Sequence, residues 1–420
     1  MKRLSFLLLQ GPATPFFARL ADTLLEQGHR VFKVNFCTGD TLFRNRAQNI
    51  VFDRPIEHWD AFLADLVERH GIDRVLLFGD CRPLHRRAIE QLKALGIKVH
   101  VYEEGYFRPN WITLEAGGTN GFSSLPKDPE WYLREAEKIA HYGDGDLVGG
   151  SLKVRAIQDM AYHISNLANP VLYPEYRTHR PHASHIEYLG WAQRFSRLPW
   201  RERRARQICQ RLTAEQRPYY LFPLQLNSDY QIKVHSDFSG MPDAIAQVMR
   251  SFAEQAPRRA MLVIKNHPLD NGLINYRRLI EHLAGKLGLG RRVLFIDGGH
   301  LPTLLHSAKG VVTVNSTVGL SALFHGRPTQ VLGKAIYNMR GLTHQGSLDS
   351  FWRQKQGPDK QLFHAFRNTI IHRTQLNGGF YNQRGIELAV QGSVQRLTQG
   401  APIPVAEPVD DFAGEPAWES

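Results

Sequence analysis

Cysteine and long apolar runs are both scarce in this sequence of 420 residues. The three cysteines, Cys37, Cys81 and Cys209, lie far apart and show no CxxC or Cys/His ligand spacing. A disulfide framework and a zinc site are therefore not predicted, as is typical of proteins from a reducing cytosol. No stretch approaches the roughly 18 uninterrupted apolar residues of a membrane-spanning helix. The sequence thus predicts a cytoplasmic protein that at most binds a membrane surface peripherally.

Glycine-rich phosphate-binding motifs are also missing. The first predicted strand is followed by QGPATPFF instead of GxGxxG, and no Walker loop occurs, so a dinucleotide cofactor is not favoured. The segment GDGD at 143–146 matches a DxD pattern, but a match over four residues arises readily by chance. We therefore predict neither a cofactor nor a metal ion.

The charge balance is strongly basic. The chain has 52 Lys and Arg against 40 Asp and Glu, a net charge of +12, and its hydrophobic content of 42% is sufficient for buried cores. Such a surface can meet nucleic acid, anionic lipid or an anionic small substrate. Residues 194–211 hold seven arginines and one glutamate, with apolar residues between them. This segment is either an ordinary solvated helix between domains or a basic amphipathic surface for anionic lipid headgroups.

Strand-like and helix-like segments alternate in two blocks of the chain. In the first block, strands are predicted at 5–10, 29–36, 74–79 and 97–102, and helices at 16–28, 56–71 and 83–96. The second block has strands at 218–226, 260–265, 292–296, 310–315 and 328–333, and helices at 241–255, 273–288, 302–308 and 317–326. Such alternation predicts α/β domains with parallel sheets.

Two blocks of this kind predict two Rossmann-like domains that face each other across a cleft. We expect the first domain at 1–210, with a helical insertion, and the second at 211–400. The remaining segment, 401–420, is acidic and rich in proline, and is predicted to be disordered.

Candidate site residues follow several predicted strands, where ligands bind in parallel sheets. Glu103, Glu104 and Gly105 follow the strand at 97–102. They form either a solvated loop or an acid/base site, and we expect one glutamate to raise the pKa of its neighbour. Asp229, in the segment QLNSD that also holds Gln225, is either a nucleophile, a base or a turn residue.

Two elements of the second block favour binding of an anion. Lys265 and His267 close a strand in IKNHP, where a cation and an imidazole can hold a phosphate; a satisfied loop histidine is the alternative. Asn315, Ser316 and Thr317 lie between a strand and a helix, where they bind an anion or simply cap the helix. A tight turn, Gly298-Gly299-His300, follows a third strand and can bring backbone close to a ligand.

These segments together resemble the capsule polysaccharide biosynthesis proteins of the KpsS/LipB type. These are β-Kdo transferases that start the lipid-linked Kdo linker of Gram-negative capsules. The resemblance extends over nearly the whole chain and is carried by LLLQGPATPFFARLADTL, EEGYFRPNWITLE, KNHPLD, FIDGGHLPTLLHSAKGVVTVNSTVGLSALFHG and GLTHQGSLDSFW. It implies a GT-B-like arrangement, CMP-Kdo as donor, retention of configuration and a phosphatidylglycerol-type lipid as acceptor.

The resemblance also assigns roles to residues. Asp229 looks like the nucleophile that forms a covalent Kdo intermediate, and Glu104 like the general acid/base, with Glu103 and Gly105 supporting the loop. Lys265 and His267 would hold the CMP phosphate, with His267 also counted as catalytic. The further donor-binding residues are Gln225, His300, Asn315, Ser316 and Thr317. No metal is implied, because CMP leaves with a single phosphate.

The lipid acceptor gives the arginine-rich segment a function. Arg201, Arg203, Arg204 and Arg206 are predicted to contact the anionic inner face of the inner membrane, and a second capsule Kdo transferase and the export machinery are further expected partners. Two other functions stay open. One is a CMP-sialic acid or UDP-sugar transferase of the same architecture, and the other is a nucleic-acid-binding or scaffold protein acting through its basic face. We expect no nucleic acid partner, because aromatic residues for base stacking are few in 194–211.

Overall fold

Alternating strands and helices form two α/β units in the computed structural model, which describes residues 2–149, 152–177, 198–214, 217–227 and 229–399 and the single positions 190, 194 and 196. Unit 1 comprises Met1–Ser124, Lys138–His179 and Arg367–Ser420, and unit 2 comprises Leu125–Glu137 and Arg180–Phe366. The predicted α/β class with two Rossmann-like domains is confirmed. The division differs from the predicted ranges, because the chain enters unit 2 twice and returns to unit 1 at Arg367.

Unit 1 is built on a seven-stranded sheet of order β12-β6-β5-β4-β1-β2-β3. The strands from β5 to β3 are parallel, whereas β6 and β12 join the edge in antiparallel fashion. Phe6, Leu7 and Leu8 in the central strand are fully buried on both faces, as expected of a strand covered by helices on each side. The strands are β1 Ser5–Leu8, β2 Arg30–Asn35, β3 Gln48–Val51, β4 Arg74–Phe78, β5 Lys98–Glu104, β6 Trp111–Ala116 and β12 Gln375–Asn377.

Helices cover both faces of this sheet. On one face, Leu20 and Leu24 of α1 pack with Val390 and Val394 of α15; on the other, Trp59 and its neighbours form a second core. Strand β12 and α15 therefore complete unit 1, although the sequence placed them in the second domain. The helices of unit 1 are α1 Phe16–Glu26, α2 Trp59–His70, α3 Pro83–Ala94, α5 Leu152–Ser165, α6 Asn169–Leu172 and α15 Gln383–Gln399.

Unit 2 contains a five-stranded sheet of order β11-β10-β7-β8-β9, in which every pair of neighbours is parallel. The chain builds outward from β7 to β9 and then returns to the other side of β7 with β10. This reversal makes the carboxyl ends of β7 and β10 the topological switch point, where ligands bind in such sheets. The strands are β7 Tyr219–Pro223, β8 Met261–Lys265, β9 Val293–Ile296, β10 Gly310–Thr313 and β11 Thr329–Val331.

The core of unit 2 is aromatic and aliphatic. Phe222 and Ile264 of the sheet pack with Phe252 of α9 and with Trp352, all four fully buried. The helices are α4 Pro129–Ala136, α7 Leu198–Ala214, α8 Tyr230–His235, α9 Met241–Gln255, α10 Tyr276–Lys286, α11 Leu301–Ser307, α12 Val318–Phe324 and α13 Leu348–Phe351, with α14 Lys360–Thr374 carrying the chain back to unit 1.

None of the helices in the described ranges is long and apolar enough to cross a membrane. The segment 401–420, predicted to be a disordered tail, lies outside the described residues.

Candidate functional site

The carboxyl ends of β7, β8 and β9 are tied together by backbone hydrogen bonds. The amide of Leu224 donates to the carbonyl of Lys265 (2.8 Å), and the amide of Asn266 donates to the carbonyl of Ile296 (2.8 Å). Parallel pairing therefore continues one residue past each strand. It places the QLNSD segment beside the KNHP segment at one edge of the sheet.

Lys265 is a buried cation with little compensation. Its side chain is only 6% exposed, and among the described residues its one hydrogen bond goes to the carbonyl of Asn266 at 3.5 Å. Burial lowers the pKa of Lys265 to about 8, with the Arg194 guanidinium acting in the same direction and Cys209 opposing it. An anion placed beside such a buried ammonium would stabilise its charged form through a charge-assisted hydrogen bond.

The KNHP loop is held by a buried network of opposite charges. Arg194 donates to Asp270 Oδ2 (3.1 Å), Asp297 Oδ1 (2.8 Å) and the carbonyl of His267 (3.1 Å). The side-chain amide of Asn266 joins the same two carboxylates at 3.1 Å each. These contacts hold the KNHP loop in a defined position through side chains of unit 2. The sequence predicted no role for Asn266, Asp270 and Asp297, and it grouped Arg194 with the arginine-rich segment 194–211.

His267 is half-buried at the turn of this loop. Its Nδ1 accepts a hydrogen bond from the amide of Leu269 at 3.0 Å, so the neutral ring carries its proton on Nε2. The loop thus fixes the tautomer in which Nε2 is a donor. Such a group can bind an oxyanion of a ligand.

Gln225 and Asn315 close the switch point between β7 and β10. Gln225 Nε2 donates to Asn315 Oδ1 (2.8 Å), and the amide of Asn315 donates to Gln225 Oε1 (3.1 Å). Asn315 Nδ2 in turn donates to the carbonyl of Gln231 (2.7 Å), whose amide is bound by Asp229 Oδ1 (2.9 Å). Both amide side chains are buried and are used to join two strands, so their predicted contact with donor stays a prediction.

Asp229 is half-buried and is the N-cap of the short helix Tyr230–His235. The cap uses Oδ1, which agrees with the turn interpretation of this residue. Its assignment as nucleophile stays a prediction.

The predicted hydroxyl and imidazole groups beside β9 and β10 are also part of local structure. Ser316 Oγ accepts from the amide of Val318 (3.2 Å), and no side-chain cap is formed by Thr317. His300 is exposed, and its Nδ1 lies 2.9 Å from Thr303 Oγ1. The seven-residue helix α12 begins at Val318, and Ser316 accepts a hydrogen bond from its first amide. Its N-terminus is therefore capped within the chain.

In unit 1, Glu104 is the last residue of β5 and is surrounded by cations. Its Oε1 lies 3.3 Å from Arg155 Nη1 and accepts a hydrogen bond from the Tyr381 hydroxyl at 3.0 Å. Burial opposes ionisation, but the guanidiniums of Arg108 and Arg155 and the Tyr381 hydroxyl outweigh it and hold the pKa of Glu104 below its ordinary value. The expectation that a neighbouring glutamate raises this pKa is wrong, because the two arginines dominate.

Glycine at position 105 is required by the close approach of β6. A Cβ on Gly105 would lie 1.9 Å from the carbonyl oxygen of Trp111, on the antiparallel strand. Glu103 Oε1 meanwhile lies 3.1 Å from the amide of Glu104 and accepts its hydrogen. The EEG segment is thus a strand end held in a defined conformation, with one carboxylate bonded to backbone and the other facing Arg155.

The DxD-like segment GDGD is engaged in ion pairs. Asp144 Oδ1 lies 2.8 Å from Arg367 Nη2, and Asp146 Oδ2 lies 3.6 Å from Arg384 Nη2. Gly145 has a φ of +78°, and a Cβ on it would lie 2.6 Å from Asn377 Nδ2. The turn therefore packs closely against Asn377. Both carboxylates of this segment thus form ion pairs with arginines of unit 1.

Residues 198–211 of the arginine-rich segment lie in α7, where two different kinds of arginine occur. Arg201 is only 13% exposed in its side chain and forms an ion pair with Asp297, so its predicted membrane contact is wrong. Its charge is used within unit 2 instead. Arg203, Arg204 and Arg206 are exposed, and Arg204 lies over the ring of Trp200 at 5.6 Å; their contact with a membrane stays a prediction.

Comparison with known proteins supports the resemblance. Residues 73–381 match the family described as capsule polysaccharide biosynthesis protein. The chain is 38% identical to the capsule polysaccharide export protein KpsS of Escherichia coli over 377 residues, which cover 90% of this chain and 96% of that protein. It is also 38% identical to the capsule polysaccharide modification protein LipB of Neisseria meningitidis serogroup B over 386 residues, 90% of this chain and 92% of that protein.

Among solved structures, the beta Kdo 2,7 transferase KpsC of Thermosulfurimonas dismutans covers 94% of this chain and 100% of its own, with a TM-score of 0.47 and 14% identity. The family match and the two relatives each span most of the chain, so the predicted family is confirmed. This chain belongs to the family of capsule polysaccharide biosynthesis proteins.

Proposed function

We propose that the chain is a glycosyltransferase that moves Kdo from CMP-Kdo, with retention, onto a phosphatidylglycerol-type lipid to start the Kdo linker of a capsular polysaccharide. Membership of the capsule family supports the general process. The donor, the stereochemistry and the acceptor are the proposed part.

The observation that carries the proposal is the state of Lys265. A buried ammonium with one long hydrogen bond, at the carboxyl end of a parallel strand, is suited to a phosphate oxygen. His267, with its proton on Nε2, supplies a second donor on the same loop. Together they would stabilise the charge that develops on CMP as it leaves. Gln225, Asn315, Ser316, Thr317 and His300 are proposed to support the nucleotide around them.

Asp229 is the proposed nucleophile. Its carboxylate attacks C2 of Kdo as the bond from C2 to the phosphate oxygen of CMP breaks, which gives a covalent Kdo ester and free CMP. The hydroxyl of the acceptor then attacks C2, and the Asp229 carboxylate is released. Two inversions at C2 give net retention.

Glu104 is proposed to accept the proton of the acceptor hydroxyl in the second step. Its lowered pKa keeps it ionised near neutrality, so it can act as a base in its resting form. CMP leaves as a phosphate monoester and needs no proton from an acid. Glu104 is therefore proposed to act as a base in the second step only. A raised pKa would also have allowed it to act as an acid.

The acceptor places the proposed enzyme at the inner face of the inner membrane. Arg203, Arg204 and Arg206 on α7 are proposed to meet anionic headgroups, since all three are exposed. Replacing the three by glutamine is expected to weaken binding to phosphatidylglycerol vesicles without lowering transfer to a soluble acceptor analogue. Unchanged vesicle binding would reject this contact. The second capsule Kdo transferase and the export machinery stay proposed partners.

Mass spectrometry of the intact protein after incubation with CMP-Kdo tests the mechanism. Glu104→Gln is expected to accumulate a Kdo adduct, because the ester forms but the acceptor is not deprotonated. Asp229→Ala is expected to form none, and Asp229→Asn is the matched variant that keeps the cap acceptor. An adduct that persists in Asp229→Ala would place the nucleophile elsewhere.

Donor screening separates this proposal from its alternatives. Purified protein is offered CMP-Kdo, CMP-sialic acid and UDP-sugars, with and without EDTA. Turnover of CMP-Kdo that survives EDTA is expected; turnover only with UDP-sugars and a metal would favour a different transferase. Salt-sensitive binding to oligonucleotides with no transfer from any donor would favour a scaffold.

A further inference from the structure

A helical segment of unit 1, from α5 through α6, exposes an apolar surface that its fold does not use. The exposed side chains recur with a spacing of three and four residues, so they lie along one side of this helical segment, which includes a 3-10 helix at Asn166–Ala168. They range from 41% exposed for Met160 to 83% for Val171. We call this surface the apolar ridge, formed by Ile157, Met160, Ile164, Leu167 and Val171.

The opposite side of the same segment is bound firmly to unit 1. Tyr162 donates to Asp40 Oδ1 at 2.8 Å, Asn166 Oδ1 accepts from the amide of Gly39 at 2.7 Å, and Asn169 Oδ1 accepts from the amide of Thr38 at 2.9 Å. These residues also recur with three- and four-residue spacing. The fold therefore holds the segment with its apolar side outward, and rotation to bury the ridge would break all three contacts.

The first turns of this segment also reach the candidate site. Arg155, on the anchored side of α5, lies 3.3 Å from Glu104, the proposed base, and its guanidinium lies over the Tyr381 ring at 4.4 Å. One helix thus contacts the residue proposed to activate the acceptor and carries the ridge on its other side. An acceptor with a polar head and apolar chains needs both kinds of surface.

The charge pattern favours a bilayer over a protein as the occupant of the ridge. Residues 160–174 contain no Asp, Glu, Lys or Arg. Helices that pair with a partner helix through such spacing usually carry charged residues at the flanking positions, which select the partner. The ridge spans about 21 Å at 1.5 Å per residue, and because 160–174 hold no charged side chain, this part of the segment can enter the apolar layer of a bilayer without desolvating a charge.

We propose that the apolar ridge inserts into the interfacial layer of a phospholipid bilayer and so brings the acceptor lipid to the Glu104 side of unit 1. This inference rests on the proposed lipid acceptor for its purpose. The membrane insertion itself is tested without CMP-Kdo, so its readout does not depend on transfer. It also differs from the predicted contact of the α7 arginines, because the ridge belongs to unit 1 and is apolar.

The test is co-sedimentation with vesicles of phosphatidylglycerol and phosphatidylcholine, using the full chain. The variant Ile157→Gln/Ile164→Gln/Leu167→Gln removes three apolar side chains while keeping a good helix former at each position. We expect about 100-fold weaker partitioning to vesicles. The control variant Val51→Gln/Leu95→Gln changes two apolar residues of unit 1 that are 53% and 52% exposed, and is expected to bind like the wild type.

A second measurement covers the case in which the triple variant folds poorly. A fluorophore sensitive to polarity is attached at Leu167→Cys in a Cys209→Ser background, since Cys37 and Cys81 are buried. A blue shift on adding vesicles is expected. Wild-type partitioning of the folded triple variant, an equal loss in the control, or no spectral shift would each overturn the proposal.

Two further readouts separate the remaining outcomes. If sedimentation velocity shows a dimer that the triple variant converts to a monomer, the ridge joins two copies of this chain and the bilayer proposal is overturned. If the triple variant keeps transfer to a soluble acceptor analogue but loses transfer to lipid in vesicles, both proposals are supported. If the wild type transfers Kdo to neither acceptor, the proposed function fails, and the vesicle data still decide on the ridge.

Discussion

Replacing Lys265 by methionine should stabilise the protein and weaken its binding of nucleotide. Lys265 is 6% exposed and its pKa falls from 10.5 to about 8 in the folded chain. At about 1.4 kcal/mol per pH unit, keeping this ammonium charged in the folded state costs about 3 kcal/mol. Methionine fills a similar volume without charge, and the hydrogen bond it removes is long, at 3.5 Å. At neutral pH we expect a gain of about 2–3 kcal/mol in the free energy of unfolding.

The pH dependence gives the sign of this effect. Because the pKa of Lys265 is lower in the folded than in the unfolded chain, the cost is fully present below about pH 8 and disappears as the pH rises towards 10.5. The stability of the wild type relative to Lys265→Met should therefore increase over this interval. Lys309, an exposed lysine of unit 2, supplies the control: Lys309→Met should change stability by no more than about 0.5 kcal/mol.

Binding of CMP should narrow the difference in stability between the two proteins, because it stabilises the wild type more. A charge-assisted hydrogen bond contributes about 1.5–3 kcal/mol, so Lys265→Met should bind CMP roughly 10- to 100-fold more weakly. Urea denaturation at pH 7 with and without CMP measures both quantities in one series. The reasoning is refuted if Lys265→Met is less stable than the wild type without ligand, or if CMP stabilises both equally.

Three further changes test other parts of the structure. Arg155→Met removes one of the cations that lower the pKa of Glu104, so the acid limb of the pH profile of kcat/KM should move to higher pH; an unmoved limb would contradict the proposed base. Gly105→Ala should cost about 1–3 kcal/mol because its Cβ meets a strand carbonyl, whereas Gly143→Ala, with open space around it, should melt close to the wild type. Burial raises the pKa of Glu115 to about 7, above its value of 4.5 when exposed, so the free energy of unfolding of the wild type should fall by about 2–3 kcal/mol between pH 4.5 and about pH 8. Glu115→Gln should abolish that fall in urea titrations. An unchanged pH dependence in this variant would contradict the prediction.

The sequence patterns alone predict most of the alternating strands and helices. In unit 2, α9 begins and ends at the predicted residues, and every predicted strand is present within a few residues. Long apolar runs and amphipathic periods make such elements readable without tertiary information. Strand β12 was not predicted because its three residues, QLN, have no apolar run. It is a strand only because β6 offers an edge, and so the domain range predicted for the carboxyl-terminal segment differs from the structure.

The site was predictable in its residue types but not in its electrostatics. Glu104 was recognised from its position at a strand end, yet its pKa depends on Arg155, which is 51 positions further along the chain, and on Tyr381, which is further still. Arg201 looked like its exposed neighbours in a run of arginines, but Asp297 pairs with it. Both cases depend on contacts between residues far apart in the chain, which no local pattern encodes.

The balance of buried charge identifies the anion site more directly than the motif does. Arg194 and Arg201 in unit 2 are matched by Asp270 and Asp297, so that network is neutral and can remain folded without a ligand. Among the described residues, Lys265 beside this network has no carboxylate partner, and burial raises the pKa of the nearby Cys209 thiol, which keeps it uncharged at neutral pH. A protein tolerates an uncompensated buried cation when something else compensates it in the working state. Among the described residues of unit 2, Lys265 lacks one negative partner, and the phosphate of the proposed donor would supply it.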